Sequence, residues 1–308
     1  TIDNTTTNSS GEFNSEVAVG EYTISYSKDG FLDESQDVPL ETDGQILEVS
    51  TLRMLPTSCS STGTISGKIT DAVSGANVTG VYLVARKGIN RPWRRVKATD
   101  TTDSSGNYSF SSLNRGWYTV TTSKTGYMNG KFYVRSCGDI SNQDAAISEN
   151  LPGSKSMRIV LSWQTTSPQT GRDLDSHVQV PDNSTGALHL NFAVTGKIIS
   201  YSATDNVTLD RDETNSPGTE TITIYEVKSG KDYSYSVHDY TNRLDNSSTK
   251  LTNSGATVTV YYNNTATTYT VPGGAGTLWR VFTFTESGGL TNVGTMTNPT
   301  GGLYQNIY

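Results

Sequence analysis

Gly20-Glu-Tyr-Thr-Ile-Ser-Tyr-Ser-Lys-Asp-Gly-Phe31 returns later in the chain as Gly116-Trp-Tyr-Thr-Val-Thr-Thr-Ser-Lys-Thr-Gly-Tyr127. Upstream of each copy stands a matching turn, Asn8-Ser-Ser-Gly-Glu-Phe13 and Asp103-Ser-Ser-Gly-Asn-Tyr108. The offset is 95 residues at the turn and 96 at the strand, a one-residue indel. Tyr22, Ile24 and Tyr26 alternate with polar residues, as do Tyr118 and Val120, so each copy reads as a strand with two faces. Asp/Asn-Ser-Ser-Gly and Lys-x-Gly-aromatic are turns, with Gly supplying the backbone angle other residues resist. The repeat therefore predicts β structure and a duplicated domain.

The rest of the 308 residues agrees. Hydrophobic residues make up only 33%, charged residues 17%, and the chain carries 17 Tyr and 29 Gly. Thr and Tyr suit half-buried strands, while Gly and Asn suit the turns between them. No segment shows a sustained helical period, and no apolar run reaches the length of a membrane span. A net charge of −7 excludes the basic footprint of a nucleic-acid binder. The one basic spot, Arg91-Pro-Trp-Arg-Arg95, reads as a solvated loop tip. The expectation is an all-β chain of tandem β-sandwiches.

The second copy extends into a longer pattern: Gly63-Thr-Ile-Ser-Gly-Lys-Ile-Thr-Asp71, Val73-Ser-Gly-Ala-Asn-Val78, Gly80-Val-Tyr-Leu-Val-Ala-Arg86 and the turn Asp103-Ser-Ser-Gly106. This resembles the carboxypeptidase regulatory-like domain, a small transthyretin-like sandwich. The resemblance covers about residues 57–145 and implies a packing or binding module without catalytic residues. Residues 1–56 match only the second half of the pattern, an incomplete sandwich with unpaired edges. Either the chain is cut from a longer polypeptide, or a strand of a neighbouring copy completes the fold. Cys59 and Cys137 bracket the second sandwich. A disulfide between them fits an exported protein, and two buried thiols are the alternative.

From residue 149 the pattern changes. Leu161-x-Trp163, Asp173-Leu-Asp-Ser-His-Val178, Pro181, Leu209-Asp-Arg-Asp212, Gly218-Thr-Glu220 and Trp279-Arg-Val-Phe282 together resemble an uncharacterised sandwich domain of prokaryotic surface proteins, which implies no activity. The predicted division is 1–56, 57–148, 149–290 and an extended tail 291–308. Asp173 and Asp175 lie two apart on a strand, as do Asp210 and Asp212, with Glu220 downstream. Like charges on one face repel, and a hard cation would relieve them. Two readings stand: a Ca²⁺ site of Asp173, Asp175, Asp210, Asp212 and Glu220, or solvated acidic loops. His177 reads as a packed, hydrogen-bonded histidine, because no Cys/His spacing supports zinc. A relay of His238 and Asp239 has no nucleophile motif behind it.

Sequons at Asn4, Asn8, Asn77, Asn107, Asn183, Asn206, Asn246 and Asn263 are candidate sites for covalent glycans and agree with export. The leading expectation is a structural subunit of an extracellular prokaryotic filament or cell-surface fibre, assembled with copies of itself. The alternative is a Ca²⁺-dependent adhesin or a segment binding surface polysaccharide, and an enzyme ranks third.

Overall fold

The computed structural model describes residues 3–8, 11–47, 49, 52–59, 62–89, 94–164, 173–182, 186–202 and 205–299. It is an all-β chain of sandwiches joined in tandem. Near the start, β1 (Gly20–Tyr26) and β2 (Glu34–Leu40) form an antiparallel two-stranded sheet. Tyr22 opposes Val38 and Ile24 opposes Gln36, which puts Tyr22, Ile24 and Tyr26 on one face. Phe13 packs edge-on against Tyr26, with ring centroids 5.9 Å apart.

The second unit is a seven-stranded sandwich. Its strands are β3 (Thr62–Asp71), β4 (Tyr82–Lys87), β5 (Val96–Thr101), β6 (Asn107–Asn114), β7 (Gly116–Ser123), β8 (Gly130–Ser136) and β9 (Ala145–Ile147). One sheet has the order β6-β3-β9 and the other β5-β4-β7-β8. Their inward residues, among them Ile65, Ile69, Leu83, Phe110, Tyr118 and Val120, form one core. The repeat's turn is present: Gly106 has φ +76°, and a Cβ there would meet the Ile69 carbonyl at 2.7 Å. Gly67 has a second reason. The chain before β9 crosses so close that a Cβ on Gly67 would lie 2.3 Å from the Gln143 carbonyl oxygen. Cys59 and Cys137 are disulfide-bonded, closing a loop with a sequence separation of 78.

The third unit is larger. Its strands are β10 (Met157–Trp163), β11 (Leu174–Pro181), β12 (Ala187–Leu190), β13 (Ile198–Ser200), β14 (Asn206–Arg211), β15 (Gly218–Ile224), β16 (Asp232–Asp239), β17 (Thr257–Tyr262), β18 (Thr265–Thr270), β19 (Leu278–Thr285) and β20 (Gly289–Thr297). A six-stranded sheet, β13-β14-β15-β10-β17-β18, faces a five-stranded one, β12-β11-β16-β19-β20. Trp163, Trp279, Tyr235, Phe282 and Phe284 fill the space between them. Because β20 pairs along β19, the sandwich runs through residue 297, past the expected boundary at 290. Residues 300–308 lie outside the described residues, as do Arg91, Pro92 and Trp93 of the basic spot.

The outer face of β10 and β15 is buried too. Thr221 Oγ1 donates to the Ala72 carbonyl at 2.6 Å, and Arg158 Nη1 donates to Ser148 Oγ at 2.8 Å. Ala72, Met128, Val160 and Tyr261 form a small apolar cluster at the same seam. Two-sided burial explains why Met157–Leu161 and Gly218–Ile224 do not alternate between buried and exposed. No helix among the described residues is long and apolar enough to cross a membrane.

Two substitutions test this packing. Gly67→Ala drives a Cβ into backbone and should cost about 1–3 kcal/mol, as overpacking does, read as a lower denaturant midpoint. Cys59→Ser should remove about 4 kcal/mol through loss of the long closed loop, and reductant should reproduce that shift in the parent.

Candidate metal centre

The acidic centre lies at one end of the third sandwich, where four elements converge. Asp173 immediately precedes β11, and its N–H donates to Thr241 Oγ1 at 2.8 Å. Asp175 sits two residues on, opposite His238 of β16. Asp212 follows β14 and pairs with Lys197. Glu220 belongs to β15 of the facing sheet. Its Oε2 accepts the Ser176 N–H at 2.6 Å, so it reaches across from one sheet to the other.

One carboxylate oxygen each of Asp175, Asp212 and Glu220 lies within 4.8 Å of the others. Glu220 is fully buried and Asp175 is 3% exposed. Glu220 Oε1, Asp175 Oδ2 and Asp173 Oδ1 are buried without a hydrogen-bond partner. Burial, then the charges of Asp212, Asp239 and Glu213, pushes Asp173 up to about 6. Burial, followed by Asp173 and Asp212, pushes Asp175 up to about 8. Glu220 is held far above the usual carboxylate range by burial first, then by Asp175. Arg243 acts in the opposite direction on Asp173 and Asp175 and leaves both raised. A group of buried oxygens that resist ionisation together matches what a hard cation relieves.

Asp210 stands apart from the set expected from the sequence. It accepts hydrogen bonds from Thr208 and Thr223 and is in electrostatic reach of Arg158. The cause is a register shift between Leu209 and Arg211 where β14 pairs β15. A bulge breaks the simple alternation that would put Asp210 and Asp212 on one face. Asp173 stands at the rim, coupled by charge but outside the tight triplet.

All three histidines of the chain gather beside this centre. His177 Nδ1 lies 2.9 Å from His189 Nε2, and the His177 and His238 rings meet edge to face at 5.7 Å. His177 is packed and hydrogen-bonded through Nδ1, as expected, while its Nε2 and both His238 nitrogens are buried without a hydrogen-bond partner. His238 therefore makes no hydrogen bond to Asp239, and no relay joins them. Sequence reasoning missed this convergence. Its only trace was the i, i+2 spacing of Asp175 and His177, because the register with β16 is set by tertiary packing.

Of the sequons, Asn4, Asn8, Asn77, Asn107, Asn246 and Asn263 are exposed and Asn206 is half-buried. Asn183 lies outside the described residues.

Residues 64–147 match the carboxypeptidase regulatory-like domain. That span is the seven-stranded sandwich just described. No curated protein matches the chain. Solved structures similar to it include a DUF3823 family protein from Bacteroides uniformis, at 12% identity over 57% of this chain and 88% of that one, with a TM-score of 0.23. The TIE protein of Bacillus anthracis is 12% identical over 70% of this chain and 36% of that one, with a TM-score of 0.25. BcpA, the major pilin subunit of Bacillus cereus, is 11% identical over 69% of this chain and 68% of that one, with a TM-score of 0.26. At such TM-scores the strands do not superpose over the whole chain.

The raised carboxylates make a signed prediction. An acid whose folded pKa exceeds its unfolded value of about 3.9 stabilises at low pH and loses that stability as pH rises through the folded value. The histidines run the other way: His189 and His238 are lowered to about 4 by burial, so their contribution is complete above about pH 6.5. Between pH 6.5 and 8 only the carboxylates act. In chelator, stability should fall across that window by on the order of 1–2 kcal/mol. Ca²⁺ should reverse the fall, and Glu220→Gln should make it shallower while Asp175 keeps the remainder; thermal melts at the two pH values check all three.

Proposed function

We propose that this chain is a structural subunit of an extracellular filament or cell-surface fibre, assembled from copies of itself by strand complementation and sandwich packing. The observation that carries the reading is the β1–β2 hairpin. A two-stranded sheet is marginal alone in water. Here Tyr22, Ile24 and Tyr26 are only half-buried, and neither outer edge has a strand partner among the described residues. An open edge beside an apolar face is the acceptor that a strand from another copy fills. The match of residues 64–147 to a regulatory-like module agrees with packing rather than catalysis.

Within this reading Asp175, Asp212 and Glu220 hold Ca²⁺, with Asp173 at the rim, and the ion ties the two sheets of the third sandwich together at one end. The ion supplies charge neutralisation; the chain supplies the buried oxygens, with Ser176 N–H and Lys197 orienting Glu220 and Asp212. Glycans on the exposed sequons would cover an extracellular surface. The acidic centre equally suits a Ca²⁺-dependent adhesin that binds surface polysaccharide, the second reading.

Electron microscopy and light scattering of the full chain separate the two. The parent should form regular filaments, and Tyr22→Lys with Ile24→Lys should yield discrete monomers whose sandwich melting is unchanged. A parent that stays monomeric at high concentration, and binds glycans in Ca²⁺, would replace the filament reading with the adhesin.

A further inference from the structure

We propose that Asp175, His177 and His238 form a second, distinct cation site that takes a zinc-class divalent transition metal, with His189 as its positioning residue. The inference stands independently of the filament reading. One ligand atom from each of the three residues lies within 4.8 Å of the other two. Asp175 is 3%, His177 2% and His238 1% exposed. In each, a ligand atom is buried with no hydrogen bond: Asp175 Oδ2, His177 Nε2 and both ring nitrogens of His238. Buried polar atoms are almost always paired, and unpaired ligand atoms on three residues that meet from two strands share a single explanation if one ion serves them all.

The strand geometry builds the site. Asp175 and His177 are two apart on β11, so both project from one face, and His238 of β16 is directly opposite Asp175. Leu174, Val178 and Val180 occupy the other face and lock the strand into the core. Two imidazoles and a carboxylate are the donor mixture of borderline transition metals, whereas Ca²⁺ takes oxygens only. The remaining feature is the contact of His177 Nδ1 with His189 Nε2 at 2.9 Å. A ligating histidine normally spends its other nitrogen on such a partner, which fixes the tautomer and aims Nε2 at the metal. Asp175 has two oxygens, so it can face this ion and the acidic centre at once.

Cobalt titration of the tag-free full chain, after chelation and with Ca²⁺ present to fill the oxygen site, tests the proposal. One equivalent of Co²⁺ should produce a visible ligand-field band of nitrogen coordination, bleached by one equivalent of Zn²⁺. His177→Leu and His238→Leu should each abolish the band, and His189→Phe should weaken binding roughly 10- to 100-fold. Glu220→Gln should keep the band while losing the Ca²⁺ response, which separates failure of this site from failure of the acidic centre. No band in the parent, or a band that survives in the His177→Leu/His238→Leu double variant, would overturn the proposal. Should the leucine variants fail to fold, X-ray absorption of the Zn²⁺-loaded parent decides: imidazole scattering from two histidines supports the site, and an oxygen-only shell overturns it.

Discussion

A carboxylate with no exposure to water, reaching from one sheet to the backbone of the other, governs this end of the molecule. Glu220 occupies a position on β15 flanked along the same face by Ile222 and Ile224, which are core. Burying an ionised carboxylate without a partner is prohibitively unfavourable, so such a group is neutralised by a proton or a cation. Glu220 has one oxygen satisfied by Ser176 N–H and one with no partner. Asp175 beside it is buried too, while Asp212 has Lys197 as an ion-pair partner, so Glu220 and Asp175 are the carboxylates that most need neutralising. The proposed cation would answer all three together and would join β11, β14 and β15 through one set of bonds.

The same sheet has a second constraint on its other face. Thr221 binds the regulatory-like sandwich at Ala72 and Arg158 binds Ser148 just past its last strand, while their neighbours Ile222 and Ile159 point into the core. The inner face of β15 thus carries the acidic centre and the outer face the seam between sandwiches. A perturbation at Glu220 is one peptide unit from Thr221, so the acidic centre and the interdomain contact share a strand.

Much of the fold was legible in the sequence because strands announce themselves by period. The alternating copies at Gly20–Phe31 and Gly116–Tyr127 are observed as the strands Gly20–Tyr26 and Gly116–Ser123. The Asp103-Ser-Ser-Gly106 turn was readable because only Gly accepts the angle found there. β20 escaped because Gly289-Leu-Thr-Asn-Val-Gly-Thr-Met-Thr297 is mostly Thr, Gly and Asn, with Gly294 at φ +60°, and β19 supplies its order. In the site, Asp175, Asp212 and Glu220 were legible as carboxylates on strand ends. Asp210 was misplaced because a bulge is a tertiary event with no local signature. Of the histidine cluster only the i, i+2 spacing of Asp175 and His177 was readable: His177, His189 and His238 meet through the pairing of β11 with β12 and β16.

The most direct test of the acidic centre is a crystal structure at pH 8 with Ca²⁺ present, refined with anomalous data. The account predicts one anomalous peak bonded to Asp175, Asp212 and Glu220 at about 2.3–2.6 Å. No peak there, with Glu220 in a short hydrogen bond to Asp212 that shows it protonated, would contradict it.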